Sequence, residues 1–243
     1  MAKQGMAKSV IILIILAGGI SGIFAVKKVL ARNTLAARIA ALSPRGTPQG
    51  IEDLRKAIDL YERKIEEHVK DAAQTGIYWK ILGNRLIDKK LYGEALEALE
   101  NAARYYPEDE TIQYLIGISA GTLAKSEHVS PQRKQALREE CELAYLRAIE
   151  IYERYGKALY GLSVLYVFEL GRPAEAVPYL ERLLEVHRGD TDGMFVLAAA
   201  YYMTENYQAA VDLYDRIGGL TKDKDVKIQA ERNKGQVMDE WYR

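Results

Sequence analysis

Five consecutive residues fit the pattern of an activated serine. Gly117-Ile118-Ser119-Ala120-Gly121 reads G-x-S-x-G, the sequence of an elbow that presents a hydroxyl to an acyl group. That elbow works only on a sharp strand-to-helix turn, which pushes the serine outward. No strand precedes Gly117, and the surrounding residues are apolar at helical spacing, so Ser119 is expected on a helix without a catalytic role. The three histidines are His68, His128 and His187. None sits in H-E-x-x-H, and none has a cysteine or carboxylate at ligand spacing. Glu66 and Glu67 adjoin His68, but near neighbours in sequence do not share a helix face. The single cysteine, Cys141, excludes an intramolecular disulfide, and its helical spacing within Arg138–Leu146 makes it a small core residue. No phosphate-binding glycine loop is present. No catalytic residue, no metal ligand and no cofactor are predicted, and the chain is not expected to be an enzyme.

The elements that carry these residues are organised around Gly76 to Asp109. Trp79 is followed by Leu82-Gly83 and Leu86, then by Ala95, Leu99, Ala102 and Pro107. Each half places apolar residues on one face of a helix. Gly83 and Ala95 are small where two helices would cross closely, Asp88-Lys89-Lys90 is a polar turn, and Pro107 stops the second helix. This order, W-x-x-L-G-x-x-[large]…A-x-x-x-[large]-x-x-A…P, resembles the tetratricopeptide repeat (TPR). The resemblance implies an all-α fold, a solenoid of helical hairpins, because one hairpin cannot bury its apolar face alone.

The pattern recurs. Ile116-Gly117 stands 34 residues after Leu82-Gly83. Its return helix is displaced: Ser130-Pro131 is a cap followed by a first-turn proline, and it predicts a helix from Pro131 to about Glu153 after a loop at 125–130. Leu159-x-x-Leu162-Ser163-x-x-Tyr166 opens a third unit, whose Ala176-x-x-x-Leu180-x-x-Leu183 arrives one residue late. Met194-x-x-Leu197-Ala198-x-x-Tyr201 and Ala210-x-x-x-Tyr214-x-x-Ile217 form a fourth. The predicted units are therefore 76–109, 110–155 with an insertion, 156–190 and 191–224. A leading helix over 51–73 precedes them. A capping helix over 225–243 follows, with Val226, Ala230, Val237 and Trp241 on one face.

Charge separates the amino terminus from this body. Of 34 Lys and Arg, seven lie in the first fifty residues, which carry no acid, so the remainder holds 27 bases against 34 acids. A mildly acidic body argues against a nucleic-acid partner, which needs a basic face. Ser9 to Val26 is eighteen residues without a charge, about 27 Å as a helix and enough to cross a bilayer once. Ile23-Phe24-Ala25 followed by Val26-Lys27-Lys28 makes a poor cleavage site, so an uncleaved single-pass anchor of the bacterial inner-membrane kind is expected over 1–42. Residues 43–50, with two prolines and two glycines, form the linker. Both flanks of the apolar run are basic; the larger charge behind it leans towards a cytoplasmic body, whereas many anchored bacterial TPR proteins face the periplasm. Gly18-x-x-x-Gly22 places two small residues where membrane helices could pack.

The resemblance also implies a working surface. Some TPR proteins clamp a peptide's terminal carboxylate with lysines, asparagines and an arginine on successive first helices. Lys80 and Asn84 match the opening pair and Lys157 the next lysine, while Leu115 and Gly161 replace the remaining two. The expected function is a membrane-anchored, non-catalytic scaffold that holds a peptide or protein partner in the concave face. The alternatives are a self-assembling homo-oligomeric subunit of a membrane complex and a periplasmic chaperone-like protein. Seventeen tyrosines divide between core places, as at Tyr166, Tyr201 and Tyr214, and the groove, in proportions that spacing does not reveal.

Overall fold

A computed structural model describes residues 51–243. The expected anchor, the linker, and Gly18 and Gly22 lie outside the described residues. Among the described residues every element is helical, and no helix is long and apolar enough to cross a membrane. The chain divides into two compact units, residues 1–72 and 73–243.

Of the first unit, 51–72 is described, and it belongs to helix α1 (Ile51–Asp88). Charged pairs one turn apart, Lys56 with Glu52 at 2.8 Å, Arg63 with Asp59, and Lys64 with Glu67 at 2.8 Å, support it. Leu54, Ile58, Tyr61, Ile65 and Val69 recur at helical spacing and are exposed. The separate leading helix expected over 51–73 is not separate: α1 runs unbroken through Gln74-Thr75-Gly76. Gly76 is no breaker here. It lets the second hairpin arm approach, since a Cβ on it would lie 2.5 Å from Tyr105 Cβ and 2.7 Å from Tyr106 Cε2.

The second unit is a row of antiparallel hairpins. The end of α1 pairs with α2 (Tyr92–Tyr105), α3 (Glu110–Ala124) with α4 (Pro131–Ile151), α5 (Gly156–Val164) with α6 (Pro173–Val186), and α7 (Thr191–Met203) with α8 (Tyr207–Leu220); α9 (Lys224–Trp241) closes the row. Asp109 caps α3 by accepting from Ile112 N–H at 2.9 Å, and Ser130 caps α4 ahead of Pro131, as its sequence predicts. One contiguous core runs from Leu96 to Val237.

Small residues set the crossings. A Cβ on Gly83 would lie 2.6 Å from Leu99 Cγ, so it is the missing side chain that lets α1 and α2 meet there. The Tyr145 ring fills the gap between Gly117 and Gly161; a Cβ would lie 2.5 Å from it at the first and 2.8 Å at the second. Gly121 faces the Cys141 sulfur in the same way, at 2.9 Å.

The turns of the first and fourth hairpins close alike. Lys90 and Glu205 adopt left-handed backbone, each with φ of 61°. The next amide reaches back to the helix end, Leu91 N to Leu86 O at 2.9 Å and Asn206 N to Tyr201 O at 2.8 Å, the Schellman closure usually built on glycine. Gly171 takes the same left-handed backbone in the third hairpin, with φ of 63°, and there Arg172 N reaches Tyr166 O at 2.9 Å. There α5 continues into a π-helical turn, Leu165–Glu169, closed by Leu170 N to Leu165 O at 3.0 Å.

Two side chains depart from expectation. Trp79, whose place at the head of the W-x-x-L-G order predicts a ring buried between the two helices of the first hairpin, packs against the core but remains partly exposed, because its hairpin is the first of this unit. Trp241, expected on the buried face of the last helix with Ala230 and Val237, is instead exposed and stacks on Tyr242 at 5.2 Å. It lies in the last turn of α9, at the edge of the core, where its other ring neighbour is Tyr207 at 6.4 Å.

Candidate binding groove

The first helices of the second, third and fourth hairpins contribute wall residues to two adjoining clefts. The first cleft, of about 620 Å³, is lined by Tyr114 of α3, by Gly156, Lys157 and Tyr160 of α5, by Leu183 and His187 at the end of α6, and by Asp190 and Asp192 at the start of α7. The second, of about 530 Å³, is lined by Phe168, by Asp192, Phe195 and Ala199 of α7, by Tyr214, and by Asp225 and Asn233 of the last helix. Asp192 borders both. Both walls carry aromatic pairs: Tyr114 meets Tyr155 edge-on at 5.6 Å, and Phe195 lies 6.0 Å from Tyr214.

Electrostatics separate the two ends of the first cleft. Lys157 Nζ stands 5.9 Å over the Tyr114 ring, a cation–π contact. Burial raises the Tyr114 hydroxyl above its ordinary range, with a smaller push from Tyr155. Burial also raises Tyr160, and the Asp192 and Asp190 carboxylates push it further. Asp190 is occupied as the cap of α7, accepting from Gly193 N–H at 3.0 Å. Asp192 and Asp225 accept no hydrogen bond and form no ion pair among the described residues.

Of the three residues matched to a clamp, only Lys157 lines either cleft. Lys80 Nζ pairs with the Asp109 carboxylate at 2.6 Å, tying α1 to the cap of α3. Asn84 donates to Lys80 O at 2.9 Å on its own helix. Ser119, wholly buried, donates to Leu115 O at 2.9 Å, so its oxygen is satisfied and out of reach. His68 and His128 are exposed, and no cluster of three metal-ligating side chains occurs among the described residues. Tyr114, Tyr160, Asp192 and Phe195 are not singled out by spacing; the three rings are half-buried and pack against the edge of the core, so periodicity does not separate them from core positions.

Residues 162–220 match the tetratricopeptide repeat family. The fold is a tetratricopeptide-repeat solenoid. A TPR repeat-containing protein of Borreliella burgdorferi is 22% identical over 175 residues, covering 72% of this chain and 76% of that protein. Among solved structures, YrrB, described as a TPR protein with an unusual peptide-binding site, superposes with a TM-score of 0.55 at 20% identity, over 75% of this chain and 85% of its own. The thermophilic TPR protein TTC0263 of Thermus thermophilus gives 0.54 at 18%, over 75% and 91%. MamA of Desulfovibrio magneticus RS-1, residues 41 to the end, gives 0.51 at 16%, over 68% and 94%. At these identities the TPR likeness concerns the fold.

Proposed function

We propose that this chain is a membrane-anchored TPR scaffold that holds a segment of a partner protein in the two clefts walled by α3, α5, α7 and α9. The observation that carries it is the pairing of clefts on first helices, each large enough for side chains and each lined by rings. Tyrosine and phenylalanine give contact area at little entropic cost. The peptide-binding site named for YrrB agrees with this use of the fold. The anchor is the uncharged run 9–26, and pairing through Gly18 and Gly22 would join two copies in the membrane. Within the groove Lys157 remains free to meet a carboxylate, with Lys80 and Asn84 outside both clefts.

Photo-crosslinking in cells tests the reading. A photoreactive residue at Tyr160 or Phe195 should trap one defined protein from the membrane fraction, and one at exposed Gln132 should not. Equal trapping at all three positions, or none at the groove positions, overturns it.

A further inference from the structure

The groove has aromatic walls and an acidic middle. Its two clefts share one residue, Asp192, whose carboxylate has no partner among the described residues. Asp190 stands two residues before it on the first cleft, and Asp225, also without a partner, lines the second. The one lysine of the groove does not answer this charge: Lys157 leans over Tyr114 and forms no ion pair with Asp192. His187 lines the same cleft without an ion pair to either aspartate. On each side of the acidic point lie rings, Tyr114 and Tyr160 in one cleft and Phe168, Phe195 and Tyr214 in the other.

We infer that the groove takes an extended peptide segment with a lysine or arginine at Asp192 and an apolar side chain in each cleft. This rests on the proposed use of the groove and adds the chemistry of its occupant. In an extended chain, residues two apart project the same way at about 6.6–7 Å, so a cationic residue flanked by apolar residues at alternate positions presents all three groups to one wall. A cation here completes three needs at once. It neutralises a carboxylate the chain leaves unpaired, it meets ring faces that attract cations, and its aliphatic stem covers apolar wall while the head stays at Asp192. An acidic residue at the same point would meet the Asp192 carboxylate, with Asp190 in one adjoining cleft and Asp225 in the other. Specificity therefore comes as much from repelling acidic segments as from holding basic ones.

The test uses the full chain in detergent micelles and three fluorescein-labelled peptide pools. Each pool has eight residues, with Leu, Phe or Tyr two positions to either side of a fixed centre. The centre is arginine, norleucine or glutamate. Fluorescence polarisation should show the arginine pool binding about tenfold more tightly than the norleucine pool, a gap of about 1.4 kcal/mol, and the glutamate pool weakest. Asp192→Asn should bring the arginine pool to within about twofold of the norleucine pool, and Asp192→Lys should favour glutamate. Added salt should narrow the arginine preference. If all three pools bind alike and Tyr160→Ala abolishes all of them, the groove is a peptide site but the basic occupant is wrong. The basic occupant is equally wrong if glutamate is preferred, or if Asp192→Asn leaves the arginine preference intact. If no pool binds, or if the groove is found filled by a second copy of the chain, the inference falls together with the reading it rests on.

Discussion

Replacing Gly117 by alanine should destabilise this protein, although the same change on an ordinary helix stabilises it. Glycine in a helix interior costs roughly 0.5–1 kcal/mol relative to alanine, so Gly117→Ala begins with a gain of that size. The new Cβ, however, would lie 2.5 Å from Tyr145 Cε1 and 2.6 Å from Cδ1. The ring has little room to retreat, because Gly161 abuts the same end of it, where a Cβ would lie 2.8 Å from Tyr145 Cζ. Overpacking of this kind costs about 1–3 kcal/mol, and the net loss should be about 0.5–2 kcal/mol. Tyr145→Ala removes a buried ring at a cost of about 3–5 kcal/mol, and with the ring gone Gly117→Ala should become stabilising by its helix propensity. The sign reversal implies a coupling of about 1–3 kcal/mol between the two positions. Urea unfolding of the four proteins of this cycle, read by helicity and by amide exchange across 110–169, measures it. Gly117→Ala stabilising equally in both backgrounds would refute the placement of Tyr145 as a wedge between hairpins.

The left-handed turns predict the opposite use of glycine: Lys90→Gly and Glu205→Gly should each raise stability by about 0.5–1 kcal/mol in urea unfolding, since each relieves a backbone conformation that L side chains disfavour. Trp79→Ala should cost about 1.5–3 kcal/mol, less than for a fully buried ring, and amide exchange should rise in the first hairpin but not in 156–241. Lys80→Ala should cost under about 1 kcal/mol, because the pair with Asp109 is partly exposed. Stability should fall as pH rises from about 9 to 12. Burial pushes the Cys141 thiol up to about 12 from 9.0 and raises the Tyr145 hydroxyl as well, so the unfolded chain loses these protons first and is favoured at high pH. Iodoacetamide at pH 8.5 should accordingly label Cys141 only after denaturant is added. Ser119→Ala should leave folding within about 1 kcal/mol and crosslinking to the partner unchanged.

Helix ends were the most legible feature of the sequence, because the caps are chemical. Ser130-Pro131 announces α4 and Ser130 caps it as its type requires; Asp109, of an equally favourable type, caps α3. The close crossings were legible for a similar reason: Gly83 and Gly117 are small because Leu99 and Tyr145 occupy the space a side chain would need. What stayed hidden depends on distant partners or on backbone angle. Nothing at Lys90 or Glu205 signals a left-handed conformation, since the Schellman closure, not the residue, imposes it. The continuity of α1 was missed because Gly76 looks like a boundary until Tyr105 and Tyr106 are seen against it. Lys80 resembles a groove cation, yet Asp109, 29 residues on, claims it. The groove itself is assembled from Tyr114, Tyr160, Asp192 and Phe195 on three helices, and no periodicity within one helix could join them.

The π-helical turn at Leu165–Glu169 bears on how the chain can change length. The third repeat spans 156–190, one residue more than the units 76–109 and 191–224, and its return helix begins one residue late. A π turn holds one residue more than an α turn over the same rise, so the surplus is stored at 165–169 as a local bulge. Glu142 secures that bulge from the neighbouring hairpin, accepting from the Tyr166 hydroxyl at 3.0 Å and pairing with Arg172 at 2.6 Å. The helices on either side therefore keep their phase, with Leu159 and Leu162 still facing Leu180 and Leu183 in the core. An insertion anywhere else in α5 would turn every later side chain by about 100° and aim the core stripe at solvent. The bulge is thus a splice mark: a point within the helix, and not in a loop, where a codon can be gained or lost while the rest of the hairpin reads in frame.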